Sequence, residues 1–224
     1  GGAALLMACQ TTNSSDLKTS GIDAEMSVTA TSQTASKVEV TMYPGGDNDP
    51  FNTVKLSGGD QLFATAGGVK KQLVGGPTYS NTFEVGAKDA EFVVSLDRTS
   101  DTDAPNSKGT LPAPFDLGAL SKTSFLRTEP VTITWSPSGT ADTMYMVVQG
   151  DCIMGGTSIS ITGDPGTATL PANKLQPVDS QMPGTCTAKV TLKRGRPGVA
   201  DPALVRDSSM TLYQLREQSF TTTP

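Results

Sequence analysis

Three cysteines (Cys9, Cys152, Cys186), one Ser-x-x-Lys at Ser15-Asp16-Leu17-Lys18 and several carboxylate-rich turns are the residues of this chain whose types and spacing can do chemistry. Ser-x-x-Lys supports a serine nucleophile with a lysine base. Its usual Lys-Thr-Gly and Ser-Asp-Asn partners are missing here, and the serine lies in a polar stretch without strand or helix periodicity, so the match reads as coincidence. Histidine is absent, which excludes Ser-His-Asp and Cys-His nucleophiles and histidine-held zinc or haem. The glycine clusters lack a following Gly-Lys-Ser/Thr and therefore read as turns rather than phosphate cradles. Two carboxylates across a cleft are enough for glycoside hydrolysis. Such sites also present stacked aromatics, whereas Trp135, the four Tyr and the seven Phe of this chain fall mostly on strand-like segments, where core packing is expected.

Oxygen-rich turns offer a second chemistry, since calcium takes about six to eight oxygen ligands. Asp47-Asn48-Asp49, with Asp60, is one such turn. Asp97 and Asp101-Thr102-Asp103-Ala104-Pro105-Asn106 form the other, and this run resembles the acidic linkers at which cadherin-like modules bind calcium, although the full linker pattern is absent. The resemblance makes Asp97, Asp101 and Asp103 the candidate calcium ligands. Short Asp/Asn/Pro clusters are also ordinary turn formers, and no other cofactor is expected.

The chain opens with Gly1-Gly2-Ala3-Ala4-Leu5-Leu6-Met7-Ala8-Cys9-Gln10 and turns at once to the polar, Thr/Ser-rich stretch Thr11 to Ser20. Leu6, Ala8 and Cys9 resemble a bacterial lipobox. The resemblance implies cleavage before Cys9, lipidation of Cys9 and a membrane attachment through that lipid; Gln10 in place of Asp implies sorting to the outer membrane. An ordinary signal peptide or membrane anchor is the alternative, because the visible apolar run is too short to span a bilayer. With Cys9 assigned to lipid, Cys152 and Cys186 remain. An even pair in an oxidising compartment reads as a disulfide, and a 34-residue separation is worth roughly 4 kcal/mol in the chain-entropy picture. Two buried free thiols are the alternative; a metal is disfavoured, because two isolated cysteines do not complete a tetrahedral zinc site.

The elements that must position these residues read as strands. Thr and Val recur between 23 Gly and 15 Pro, and β-branched runs cut by turn residues suit an all-β fold. Strands are expected over 25–32, 37–43, 53–57, 61–66, 69–74, 78–85 and 90–97, then over 131–135, 143–149, 157–162, 167–170, 185–193 and 210–220. In 37–43, Val38, Val40 and Met42 alternate with Lys37, Glu39 and Thr41, which implies one buried and one wet face. Gly67-Gly68 signals a hairpin. The polar stretch 98–110, free of large apolar residues, reads as a domain boundary. The expected organisation is a signal-peptide remnant and lipobox over 1–9, a flexible tether over 10–21, a first β-sandwich over 22–98, a linker over 99–110 and a second β-sandwich over 111–224. The second strand set resembles immunoglobulin-like and fibronectin-III-like sandwiches in architecture. Trp135 precedes both cysteines, so the Cys-Trp-Cys order of antibody-type domains is absent.

The net charge of −5 argues against nucleic acid, which needs clustered Lys/Arg. The one basic cluster, Lys189, Lys193, Arg194 and Arg196, reads as a solvated rim or as partners of Asp201 and Asp207. The expected function is that of a non-catalytic lipoprotein of the outer envelope, periplasmic or surface-exposed, binding a protein or glycan through loops such as those at 45–51 and 150–156. A carboxylate-dependent glycan-acting enzyme and a subunit of a larger envelope assembly are the alternatives.

Overall fold

The computed structural model describes residues 10–45, 52–178 and 184–224; Cys9 and the Asp47-Asn48-Asp49 turn lie outside the described residues. The fold is all-β. In chain order the strands are β1 (Gln10–Asn13), β2 (Ile22–Ser32), β3 (Ala35–Pro44), β4 (Asn52–Lys55), β5 (Gln61–Ala66), β6 (Val69–Gln72), β7 (Val74–Gly75), β8 (Thr78–Phe83), β9 (Glu91–Asp97), β10 (Ala104–Thr110), β11 (Asp116–Leu117), β12 (Ser124–Leu126), β13 (Val131–Ser136), β14 (Thr143–Gly150), β15 (Thr157–Ile161), β16 (Thr167–Leu170), β17 (Cys186–Pro197) and β18 (Ser209–Thr223). Among the described residues no helix is long and apolar enough to cross a membrane.

A nine-stranded sheet runs in the order β15-β14-β17-β18-β2-β3-β8-β7, with β12 also paired to β18. Its central strands largely alternate. Val38, Val40 and Met42 of β3 are fully buried, as the alternation in 37–43 requires. The even-numbered residues of β14, β17 and β18 face the interior in the same way. Two smaller sheets pack on this one inner face: β10-β9-β5-β6 over one end and β11-β13-β16 over the other. Between them lie two apolar cores, one gathering Met26, Val40, Leu62, Phe92 and Leu212, the other Trp135, Met146, Val190, Leu192 and Phe220.

The two sandwiches are therefore joined through their floor. β18 gives Met210 and Leu212 to the first core and Phe220 to the second, and it pairs in parallel with β2 while remaining antiparallel to β17. This arrangement corrects the expected linker at 99–110. Ala104–Thr110 is β10, paired to β9, with Ala104 and Ser107 buried. The segment has no alternation of large apolar residues because its inward positions are small or polar; buried Ser107 accepts the Asp201 N–H at Oγ, 2.9 Å.

The expected tether at 10–21 is likewise part of the fold. β1 pairs in parallel with β4, and Ser14 and Thr19 are buried. Ser14 Oγ donates to Asp60 Oδ2 at 2.7 Å. Arg98, whose Nε lies 2.9 Å from Asp60 Oδ2, donates from Nη2 to the carbonyls of Ser14 and Leu17 at 2.8 Å each. Polar residues fold here because each finds a partner, a signal that apolar periodicity does not carry. Two further details differ in kind. The 69–74 stretch is two strands, because buried Leu73 marks where the chain leaves one sheet for the other. The Gly67-Gly68 hairpin forms as expected, both glycines at positive φ, 56° and 79°, which a two-residue hairpin turn requires.

Candidate functional site

The outer face of the nine-stranded sheet is formed by the residues that alternate with the core positions. Tyr145 on β14 is out of phase with buried Met144 and Met146, and Tyr213 on β18 is out of phase with Leu212 and Gln214, so both rings point outward. Their centroids lie 6.3 Å apart at an interplanar angle of 76°, an edge-to-face contact. Gly195 of β17 sits beneath them, opposite Tyr213 in register, and is covered although it belongs to the outer row. A Cβ there would stand 2.9 Å from Tyr213 Cε1 and 3.1 Å from Tyr145 Cε2. The glycine is what lets both rings lie down on the sheet. Lys193 Nζ stands 5.1 Å from the Tyr213 ring centroid. Tyr145 retains 45% of its exposure.

From Tyr213 a shallow groove of about 390 Å³ continues across β18, β2, β3 and β8, lined by Glu25, Ser27, Glu39, Thr41, Ser209 and Thr211 among others. Its walls are hydroxyls and carboxylates on successive strands in register: Ser209 opposite Glu25 and Thr211 opposite Ser27, Glu25 opposite Thr41 and Ser27 opposite Glu39. Glu39 Oε1 is tied to Lys37 Nζ at 2.6 Å, and the Thr41 and Thr78 hydroxyls are hydrogen-bonded to each other at 2.8 Å. The end of this face is acidic. Burial first, and then the neighbouring carboxylates of Glu25 and Asp23, push the Tyr43 hydroxyl above its ordinary value. Burial also raises the Asp23 carboxyl, against a hydrogen bond from Ser208 and with the repulsion of Asp207. A ring to stack on, hydroxyls to donate and accept, and carboxylates to accept describe a surface suited to a neutral or cationic polyhydroxylated ligand, and one that repels an anionic ligand.

The residues singled out from the sequence fall elsewhere. Asp97, Asp101 and Asp103 lie along the connection between β9 and β10, which is a hairpin and not an inter-domain linker, and each engages a different partner instead of converging on one site. Asp101 Oδ2 accepts the Thr19 N–H at 2.5 Å and Asp103 Oδ1 the Arg98 N–H at 2.6 Å; Asp97 lies 3.4 Å from Lys70 Nζ. The hydrogen bonds from Thr19 and Thr102 hold the Asp101 carboxyl below its ordinary range. Asp101 thus braces the N-terminal segment against the first sandwich, whereas Asp103 closes the hairpin loop on Arg98 and Asp97 faces β6. Cys152 and Cys186 form a disulfide, Cα atoms 5.6 Å apart. The 45–51 loop lies outside the described residues beyond Gly45. In the 150–156 loop Ile153 is buried and Met154 is 63% exposed.

Within the basic cluster the two arginines are not a solvated rim, whereas Lys189 remains half exposed. Arg194 has no exposed side chain and pairs with equally buried Asp164 at 2.9 Å; Asp164 also accepts from Trp135 Nε1 at 2.6 Å and from the Thr140 N–H at 3.0 Å. Arg196 is held by Asp142 at 2.7 Å and by Asp89 at 2.8 Å, and donates to the Leu111 carbonyl at 3.2 Å, which ties the two sandwiches at their joint. These hydrogen bonds and charges raise its affinity for its proton. Lys189 pairs with Glu217, and Asp201 accepts backbone N–H groups of Asn106 and Ala203. The buried acids among the described residues, Asp60, Asp164 and Asp201, are thus each engaged by arginine or backbone donors, and none faces another across a cleft.

The tyrosines were expected in the core. The signal that places them outside was available: within Met144-Tyr145-Met146 and Leu212-Tyr213-Gln214 the period-two alternation assigns the ring to the face opposite the Met and Leu.

No protein-family model and no curated protein matches this chain. Among solved structures it is similar to a fragment of titin, at 8% identity and a TM-score of 0.24 over 90% of this chain and 66% of that one. It is also similar to a Salmonella alpha-2-macroglobulin mutant, at 8% identity and a TM-score of 0.25 over 92% of this chain and 15% of that one. A mouse coronavirus receptor-binding domain complexed with its murine receptor gives 8% identity and a TM-score of 0.23 over 89% and 97%.

Proposed function

We propose that this protein is a non-catalytic glycan-binding module of the cell envelope, lipid-anchored through Cys9. The observation that supports binding is the outward Tyr145 and Tyr213 pair at the mouth of a hydroxyl-lined groove. An aromatic ring offers an apolar face with a polar edge, which suits the C–H face of a sugar ring, and Ser27, Thr41 and Thr211 beside it match sugar hydroxyls. A site that buries a ligand by stacking and orients it with a few polar groups follows the usual division of labour in recognition. The lipobox-like Leu6-Met7-Ala8-Cys9 supports the anchor.

The test is titration of the purified protein with neutral and amino-sugar oligosaccharides and with uronic-acid oligosaccharides. Binding of the first two and exclusion of the third is expected. Tyr213→Ala should weaken binding about tenfold, in line with roughly 1 kcal/mol or more per stacked ring. Equal affinity in wild type and Tyr213→Ala would remove the sheet face from the reading.

A hydrolytic reading draws on one observation, that Glu25 and Glu39 both line the groove as diagonal neighbours on β2 and β3. Glu39 is neutralised by Lys37, and neither carboxylate lies in an apolar pocket that would hold a proton for the leaving group. Release of new reducing ends from a bound oligosaccharide, abolished in Glu25→Gln, would establish that reading.

A further inference from the structure

The disulfide differs in its two halves. Cys186 is fully buried and Cys152 only partly. Arg127 Nη2 approaches Cys186 Sγ at 3.0 Å while donating to the Gly184 carbonyl at 2.5 Å. The residue is fixed by its own backbone, its N–H donating to Thr223 O at 2.9 Å and its carbonyl accepting from Asn173 N at 2.8 Å. Arg127 Nε is buried without a partner, and among the described residues no carboxylate forms an ion pair with this guanidinium. The guanidinium thus rests against one of the two sulfurs. Asp151, exposed and accepting the Thr187 N–H at 3.0 Å, places a carboxylate oxygen within 4.8 Å of both sulfurs.

We propose that Cys152 is an S-thiolation site, at which a low-molecular-weight thiol opens this disulfide. The incoming thiol loses its proton to solvent, and its sulfur lone pair forms a new S–S bond to Cys152 Sγ. The Cys152–Cys186 bond breaks with its electron pair on Cys186 Sγ, which becomes a thiolate held by the Arg127 N–H donors. The incoming sulfur is oxidised to the disulfide level, Cys186 is reduced to the thiol level, and no further oxidant is needed. Exchange is faster when the leaving thiolate is stabilised, and a neighbouring arginine stabilises a thiolate. Exposure and leaving-group stabilisation thus select the same direction of attack. Asp151 adds a filter, since it repels an anionic thiol and attracts a cationic one. Opening would release the turn that carries Ile153 and Met154, held otherwise by the Ile153 to Pro177 bridge and by the hydrogen bonds Met154 N to Gln176 O and Val178 N to Cys152 O.

The experiment treats the folded, oxidised protein with cysteamine or with glutathione, traps free thiols with iodoacetamide and locates both groups by peptide mass mapping. The expected result is the thiol adduct on Cys152 and the carbamidomethyl group on Cys186, with cysteamine reacting several-fold faster than glutathione. Asp151→Asn should narrow that gap, and Arg127→Gln should slow both thiols about tenfold. Arg127→Lys, which keeps the charge, should retain more of the rate than Arg127→Gln, and near-ultraviolet circular dichroism confirms that each variant is folded. An adduct on Cys186, an unchanged rate in folded Arg127→Gln, or a rate equal to that of global unfolding would overturn the proposal. The outcome is independent of glycan binding at the sheet face.

Discussion

Asp164 and Arg194, like Asp60 and Arg98, form a buried ion pair that is costly to disturb. Both side chains are fully buried, and removing one partner of such a pair leaves the other charge uncompensated, a loss of about 3–5 kcal/mol. Burial pushes the Asp164 carboxyl upward, but hydrogen bonds from Trp135 and Thr140 and the Arg194 charge outweigh it and hold the group below its ordinary value of 3.8. Burial acts on Arg194 as well and lowers its affinity for its proton, with the Asp164 charge opposing. A carboxyl depressed by folding contributes stability that is present above its unfolded value and is lost as the pH falls through the folded one. Asp164→Asn should therefore lower the melting temperature clearly at pH 7, and the difference from wild type should shrink as the pH drops below about 4; melting curves from pH 7 to pH 2 measure it. At the sheet face, Gly195→Ala should displace the two rings it supports, since its Cβ would press on both. The expected outcome is weaker oligosaccharide binding with the fold retained, read by titration and by the tyrosine signal in near-ultraviolet circular dichroism.

The N-terminal segment behaves as an element although it contains little regular structure. β1 rides on β4, and the Ser14 to Thr19 stretch is pinned by Asp60, Arg98, Thr102 and Asp101. Ser14→Ala would take a short hydrogen bond from buried Asp60, and the expected cost is about 1–3 kcal/mol, the penalty for a buried polar group left short of a partner. Denaturation by urea measures it. A change within error would show that water replaces the hydroxyl there. Likewise the β9–β10 connection uses Asp101 and Asp103 to hold backbone N–H groups, which is why an acidic turn with the composition of a cation site serves as a brace.

At the scale of the whole molecule, the shared strand β18 should couple the two cores. Trp135, the single tryptophan, lies in the second core, whereas Leu62 lies in the first. Leu62→Ala removes a buried side chain at a cost of about 2–5 kcal/mol. If the sheet unfolds as one unit, the Trp135 fluorescence midpoint moves together with the circular dichroism midpoint in this variant. A Trp135 transition that stays in place would show that the second sandwich holds without the first. The anchor is checked at the same scale: intact mass of protein recovered from a bacterial membrane should carry a diacyl or triacyl increment on Cys9, together with two alkylations that appear only after reduction.

Short-range physics determined much of this protein from its sequence. The alternation in 37–43, the β-branched runs and the Gly67-Gly68 turn specify strands and hairpins because those signals act between residues two apart or in one turn. The missing histidine closed off whole classes of catalysis. Which strands share a sheet was decided only in the tertiary structure, because Met210 and Phe220 carry the same apolar character whether one core or two receives them. The same holds for polar residues. Arg194 and Arg196 look like solvated charges until chain segments from 30 to 107 residues away bring their partners, since a buried charge is tolerated only with a partner and sequence spacing does not say where the partner is. Tyr145 and Tyr213 stand between these cases. Alternation assigns each ring to the outer side of its own strand, but only the register of β14, β17 and β18 brings the two together over Gly195.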